Sequence, residues 1–230
     1  MMGYRLMLAK ELREQLRTYR LPVVAIVFLL FGILSPVSAK YLPDIVKALA
    51  GDQGAALLSA LPTPTVDDAV GQIIKNVTQF GILVAVLLAM GTVANEKERG
   101  TAGLLLSKPI SRAAFLAAKL SAVAFTLGVA VVVGSAIGFV YTALLFDAPL
   151  SITGFAAMAV LLWLSLVAYA ALTFLGSTLT RSAMAAAGLG IVAFVATATI
   201  AFLPVIGPYM PQSLGTPALA YAVGDDPGFV

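Results

Sequence analysis

The sequence contains no cysteine and no histidine among its 230 residues, and only 11% of its residues are charged. Without Cys and His, the chain has no imidazole general base, no thiolate nucleophile and no His or Cys ligand for a metal ion. It cannot form disulfides, so its cysteine content says nothing about the redox compartment. These absences remove most enzymatic chemistry from consideration.

The scarcity of charge excludes a soluble domain. Hydrophobic residues make up 60% of the chain and the mean hydropathy is +1.01, whereas soluble domains are about 45–50% apolar and about 25% charged. The net charge of +3 does not indicate a nucleic-acid surface, because the basic residues lie beside apolar runs. We therefore expect an integral membrane protein, with the lipid bilayer and no nucleic acid among its partners.

Five apolar segments are long enough to cross a bilayer, since a span needs about 20 residues. They cover residues 21–39, 73–94, 112–146, 152–179 and 182–203. We predict an all-α fold in which residues 1–230 form one polytopic transmembrane helix bundle. At 1.5 Å per residue the third helix would be about 50 Å long, so its first turns, near Lys119, are expected in the headgroup zone.

The basic residues predict the orientation, because they concentrate on the cytoplasmic side of membrane proteins. On one side lie Arg5, Lys10, Arg13, Arg17, Arg20, Lys97, Arg99, Lys108, Arg112, Lys119 and Arg181. The other side carries Lys40, Lys47 and Lys75 with most of the aspartates. The N-terminus is therefore expected in the cytoplasm, and five spans place the C-terminus outside.

Residues 37–39 resemble a signal-peptide cleavage site. The charged region before the first span is too long for a signal peptide, however, and it contains Glu11 and Glu14. We favour an uncleaved first span.

Three segments outside the spans have their own patterns. Residues 4–20 place Leu8, Leu12, Leu16 and Tyr19 on one helix face, which predicts either an amphipathic interfacial helix or a simple basic flank. Residues 40–72 are either short amphipathic helices on the outer leaflet or a solvated loop. Residues 204–230 are rich in proline, so we predict an irregular external tail.

Small residues recur at four-residue spacing within two spans. Gly134 and Gly138 form one such pair, and Ser182, Ala186 and Gly190 form a second series. Small residues allow helices to approach closely in lipid. We expect these residues to pack helices within one chain rather than to form a dedicated dimer face.

The middle of each span lacks charged residues, which argues against an ion-coupled transporter. The sequence has no Gly-x-x-x-x-Gly-Lys-Ser/Thr phosphate loop. If the protein moves a substrate, another chain must supply the energy of ATP.

Residues 95–111 form the one polar segment with dense local signals. Gly100 permits a turn, Thr101 can cap a short helix that carries Leu104, Leu105 and Leu106, and Pro109 ends it. Ser111 can then cap the third span. A short helix with apolar side chains and a charged rim suits docking in a groove of a partner; the alternative is an ordinary charged loop whose leucines lie on lipid.

This segment resembles the signature of the ABC-2 type permeases, the membrane subunits of ATP-binding-cassette exporters. The matching residues are Glu96, Glu98, Gly100, Thr101, Leu104, Leu105, Leu106, Pro109, Ser111, Arg112 and, further on, Lys119. Residues 10–13 and 41–43 also look like this family, so the resemblance extends over nearly the whole chain.

The resemblance implies a permease subunit in a prokaryotic plasma or inner membrane, where two permease chains form a homo- or heterodimeric export pathway. Leu104 to Leu106 would enter a groove of a separate ATPase subunit, and Glu96, Glu98 and Arg112 would organise the neighbouring polar network. The chain itself would be neither an enzyme nor a cofactor-binding or metal-binding protein, since ATP and Mg would bind the ATPase.

Family members usually have six spans, so this chain is either truncated at its C-terminus or a five-span variant. Two other functions fit the same sequence. A non-transporting membrane scaffold or assembly factor would use the cytoplasmic loop only to bind a partner. An ion-coupled secondary transporter would need backbone carbonyls as its ion ligands.

Overall fold

The computed structural model describes residues 2–58, 63–100, 111–147 and 149–224, which form an all-helical fold. The helices are α1 (Met2–Arg17), α2 (Arg20–Leu58), α3 (Val66–Glu98), α4 (Arg112–Phe146), α5 (Ile152–Leu179), α6 (Ala183–Ile200) and α7 (Gly215–Val223). Five of them, α2 to α6, are long and apolar enough to cross a membrane. This confirms the five-span helix bundle predicted from the sequence.

Four of these helices begin at a Ser or Thr that caps the first turn. The side-chain oxygens of Thr65, Ser111, Ser151 and Ser182 each accept a hydrogen bond from the backbone N–H three residues later. Such a bond satisfies one of the N–H groups that a helix start leaves unpaired. The bounds of α4 and α5 coincide with those of the third and fourth expected spans.

The second helix is longer than expected. It continues through Pro36 and Pro43 to Leu58. The sequence had predicted that the first span ends at residue 39 and that residues 40–72 form a separate external segment, so this boundary is wrong. Membrane helices tolerate proline because neighbouring groups satisfy the backbone carbonyls that proline leaves unpaired. In the same stretch the Lys40 ammonium donates to the Leu145 carbonyl and lies 5.7 Å from the centre of the Phe146 ring, so α2 is tied to the end of α4.

Glycines bring α2 and α4 into backbone contact. A Cβ atom at Gly32 would collide with the Gly134 carbonyl, and a Cβ at Gly134 would lie 2.8 Å from the Phe28 carbonyl oxygen. In the second series of small residues, a Cβ at Gly190 would collide with Thr173 of α5. The expectation that these small residues pack helices within one chain is confirmed.

The core lies where α3, α4 and α5 meet α2. Its largest fully buried side chains include Phe28, Ile73, Leu127, Leu162 and Tyr169. Helix α6 buries only one narrow face, formed by Ala186, Ala187 and Gly190. Most of the α6 surface therefore faces outward.

The prediction of an irregular tail is wrong for residues 207–223. Two 3-10 turns, Gly207–Tyr209 and Pro211–Leu214, lead into α7. The prolines of this stretch stand in first turns, where the missing N–H has no partner to lose. Gln212 Nε2 donates to the Thr197 carbonyl at 2.7 Å, and a Cβ at Gly154 would collide with the Tyr221 carbonyl, so the tail packs on α5 and α6.

The antiparallel helices give the bundle two ends. We call the basic end the one where α1, the last turns of α3, the first turns of α4 and the end of α5 meet. There, Lys97 of α3 donates to the carbonyls of Thr178 and Thr180 at the end of α5. The opposite end contains the start of α3, the end of α4 and the start of α5.

Candidate functional site

A buried cluster of charges joins three helices at the basic end. The Lys119 ammonium of α4 lies 3.2 Å from both carboxylate oxygens of Glu11 in α1 and 2.8 Å from Glu96 Oε1 in α3. The Lys119 side chain is only 3% exposed. We call these three residues the ionic cluster. Its members come from positions 11, 96 and 119, so this contact exists only in the folded chain.

A second lysine completes the charge balance of the cluster. Lys10 lies 3.1 Å from Glu11 and 3.3 Å from Glu14. Burial alone would lower the pKa of Lys10, but the two carboxylates raise it above its ordinary value. Removing one partner from a buried ion pair is strongly destabilising because it leaves a charge without compensation. The cluster therefore makes the position of α1 depend on α3 and α4.

Helix α1 reaches the cluster through one face. Met7, Glu11 and Gln15 follow at four-residue spacing and are buried, and Met7 packs against Phe115 and Ala118 of α4. The Tyr4 hydroxyl donates to Ser121 Oγ at 3.0 Å. This face is half apolar and half polar, so α1 docks on the bundle by packing and by ionic contact together.

The end of α3 is also held by α5. Ser177 Oγ accepts hydrogen bonds from the backbone N–H groups of Val93 and Ala94 at 3.1 Å and 2.9 Å. Lys97 binds two carbonyls at the end of α5, as described above. The last turns of α3, which carry Glu96, are thus fixed from two sides.

A polar cavity of about 420 Å³ opens beside the ionic cluster. It is lined by the cluster residues and by Lys10, Glu14, Gln15, Arg20, Asn95 and Arg99, among others. A second cavity, of about 570 Å³, lies between α4 and α5 and is lined almost entirely by apolar side chains, with Trp163 and Phe139 among them. The two differ in what they can bind, since only the first offers several charged groups.

Comparison with known proteins places this architecture in a family. The family model described as "ABC-2 family transporter protein" matches residues 6–217. The chain belongs to the ABC-2 transporter family. It is also 28% identical over 200 residues to YxlG, an uncharacterized transmembrane protein of Bacillus subtilis (strain 168), and this match covers 85% of the chain and 76% of the relative. The resemblance drawn from residues 96–119 is confirmed, and the chain is a multi-pass membrane protein of this family.

The structure describes some of the residues that carry the family resemblance, those outside residues 101–110. Glu96 lies in the ionic cluster. Gly100 has a φ of 70°, a left-handed conformation that glycine adopts without strain. Ser111 caps α4 by accepting from the Ala114 N–H at 3.2 Å.

The remaining residues of that set divide into two groups. Glu98 ends α3 and Arg112 begins α4, and both are exposed. Thr101, Leu104, Leu105, Leu106 and Pro109 lie outside the described residues. The role of this ABC-2 segment as a docking helix stays a prediction.

Sequence reasoning missed Glu11 and Gln15. We described α1 by its leucine stripe, yet Leu16 and Tyr19 of that stripe are 54% and 72% exposed. The buried face of α1 could have been found from the four-residue spacing of Met7, Glu11 and Gln15, which places all three on one side of the helix. Two of these three residues are polar, so a search for apolar residues alone does not detect this face. Lys119 was noted as part of the family pattern, but its two carboxylate partners follow only from the fold.

Proposed function

We propose that this chain is the permease subunit of an ABC exporter, in which a separate subunit hydrolyses ATP and drives transport. Two permease chains would form the pathway. The family supports the permease role, because ABC-2 proteins are the membrane components of transporters. ATP and Mg would bind the partner subunit, and this chain would perform no catalysis.

The ionic cluster is the observation that carries this proposal. Glu96 precedes residues 101–110 and Lys119 follows them, and the two side chains meet at 2.8 Å. A force applied to the intervening segment would reach α3 and α4 together, and Glu11 would pass it to α1. Such an arrangement suits a segment that receives motion from a docked partner.

The proposal makes the basic end cytoplasmic, as the positive-inside rule requires. The chain has no cysteine, so single cysteines at Gly103 and Ala55 can be labelled with a membrane-impermeant thiol reagent. In intact cells of a prokaryotic host we expect labelling of Ala55→Cys alone, and of Gly103→Cys only after the membrane is opened. The reverse pattern would contradict both the orientation and the coupling role.

The docking role is tested at Leu105. If this side chain enters a groove of the ATPase, Leu105→Asp buries an unpaired charge there and costs several kcal/mol. A loss of about 1.4 kcal/mol is a tenfold loss of affinity, so we expect the complex to weaken by at least about a hundredfold. The measurement is co-purification of the ATPase at matched expression.

The matched control is Leu57→Asp, which changes the same residue type in the last turn of α2, away from the basic end. It should leave the complex intact. If Leu105→Asp keeps both the partner and its transport-coupled ATP hydrolysis, residues 95–111 are not a coupling segment. If it loses the partner but no substrate is transported by the wild type, the chain is a scaffold or assembly factor.

A further inference from the structure

The polar cavity at the basic end has a surplus of positive charge among the described side chains that line it. Four basic and three acidic side chains line it among the described residues. The ion pairs there use Lys10 and Lys119. The guanidinium groups of Arg20 and Arg99 have no carboxylate partner in the described part of the chain. Guanidinium groups bind phosphate through paired, charge-assisted hydrogen bonds.

The lining of the cavity also includes an uncharged polar group, the side-chain amide of Gln15. Gln15 is 6% exposed, and its Oε1 atom has no hydrogen-bond partner among the described residues. A buried carbonyl oxygen without a partner costs free energy, and a hydrogen-bond donor supplied by a ligand would recover it. The cavity therefore fits a molecule that carries a phosphate and, next to it, a hydroxyl or ammonium donor.

The position of the cavity favours a lipid over a soluble phosphate. Arg20 is the first residue of the first candidate span. The end of a span lies at the depth of the phospholipid headgroups. From Arg20 an exposed apolar stripe runs along α2 through Val23, Ile26 and Leu30, which are 55%, 55% and 48% exposed. Residues three and four apart share a helix face, so an acyl chain can follow this stripe while its headgroup enters the cavity.

We propose that the polar cavity binds a phospholipid headgroup, with the phosphate held by Arg20 and Arg99 and a headgroup hydroxyl or ammonium donating to Gln15. Basic pockets beside membrane helices are suited to such headgroups, and the volume of about 420 Å³ lies within the range of small-ligand sites, about 300–1,000 Å³. This site does not depend on the coupling role proposed above, since it needs no ATPase.

The test measures lipid binding to the purified full-length chain in detergent by native mass spectrometry. The probes are phosphatidylglycerol, phosphatidylethanolamine and phosphatidylcholine with identical acyl chains. The first two carry a hydroxyl or ammonium donor, whereas the trimethylammonium group of the third has none. We expect the first two to bind at least about tenfold more tightly than phosphatidylcholine, a difference of about 1.4 kcal/mol.

The variants separate the two halves of the site. The double variant Arg20→Gln/Arg99→Gln should weaken all three lipids by at least about tenfold. Gln15→Leu should reduce only the preference over phosphatidylcholine. Arg13→Gln is the matched control, because Arg13 is an exposed arginine of α1 that does not line this cavity, and it should bind as the wild type does.

Three results would overturn the proposal. The first is equal binding of the three lipids, or none, by the wild type. The second is unchanged binding by the double arginine variant, with Arg20→Lys/Arg99→Lys measured beside it to show that the fold tolerates change there. The third is binding of glycerol 3-phosphate as tight as that of the lipids, which would assign the cavity to a soluble phosphate.

Discussion

Helix α4 is held in two different ways along its length, by charge at the basic end and by glycine contacts in the middle of the bundle. Lys119 joins α4 to α1 and α3 through two carboxylates. Further along the same helix, Gly134 and Gly138 lie against α2 at Gly32, where backbone meets backbone. The same helix is thus held by ionic contacts at one end and by close backbone packing in its middle.

The two modes differ in how they respond to movement. Close-packed backbones leave no room for sliding, because a shift of a few tenths of an ångström creates a clash or a void. Ionic contacts act over a longer range and with several side-chain geometries. We infer that the glycine-packed middle is the rigid frame and that the ionic cluster is where α1 can change its position.

The largest effect is expected when the cluster loses its central cation. Lys119→Met keeps an unbranched side chain but removes the lysine from the buried Glu11 and from Glu96, whose side chain is 17% exposed. We expect the free energy of unfolding to fall by about 3–5 kcal/mol, measured by denaturation of the purified chain in mixed micelles. Lys75→Met is the control, since Lys75 is exposed on α3, and it should change stability by less than about 0.5 kcal/mol.

A triple variant separates charge from packing. Glu11→Gln, Glu96→Gln and Lys119→Met together remove every charge of the cluster, so we expect most of the lost stability to return. A triple variant no more stable than Lys119→Met would show that the lysine acts through packing, and the distinction between the two modes would fail at this end.

The middle of the bundle is tested at Gly32. A Cβ atom there would collide with the Gly134 carbonyl, so Gly32→Ala should destabilise the chain by about 1–3 kcal/mol through overpacking. The matched control is Gly188→Ala in α6, where a Cβ would meet nothing within 4 Å. Alanine favours helix over glycine, so the control should be neutral or slightly stabilising, and equal losses for both variants would contradict the close-contact interpretation.

Sequence patterns predicted the parts of this fold that depend on local signals. Ser111 was expected to cap the third span and does so, and α4 and α5 begin at the residues where the third and fourth spans were expected to begin. The Gly134–Gly138 pair predicted a close approach, although its partner at Gly32 lies about a hundred residues away and follows only from the fold.

Other features depend on contacts that no local pattern contains. Proline usually ends a helix, yet α2 continues through Pro43, and Lys40 in that stretch contacts the end of α4. Glu11 looks like a solvated charge in the sequence, and only the approach of α4 makes it a buried one. The prolines of the tail predicted an irregular chain, but Pro208, Pro211 and Pro217 each stand in the first turn of a short helix, where proline is tolerated.

The smallest effect compares the two ends of the bundle through the same kind of cap. Ser111 caps α4 at the basic end and Ser151 caps α5 at the opposite end, with N–H···Oγ distances of 3.2 Å and 3.1 Å. Ser→Ala at either position should lower the free energy of unfolding by about 1 kcal/mol, the usual value of an N-cap. Because both caps are the same kind of hydrogen bond, the two variants should lose the same amount of stability, and any difference in activity between them must have another cause.

The two cap variants should differ in transport activity, although we expect their losses of stability to be equal. Because Ser111 is the last residue of the proposed coupling segment, Ser111→Ala should reduce transport-coupled ATP hydrolysis by the assembled complex, whereas Ser151→Ala should leave it close to the wild-type rate. The experiment measures ATP hydrolysis with and without the permease chain, beside the unfolding curves of both variants. Equal reductions would show that coupling follows overall stability, and the basic end would then have no special part in it.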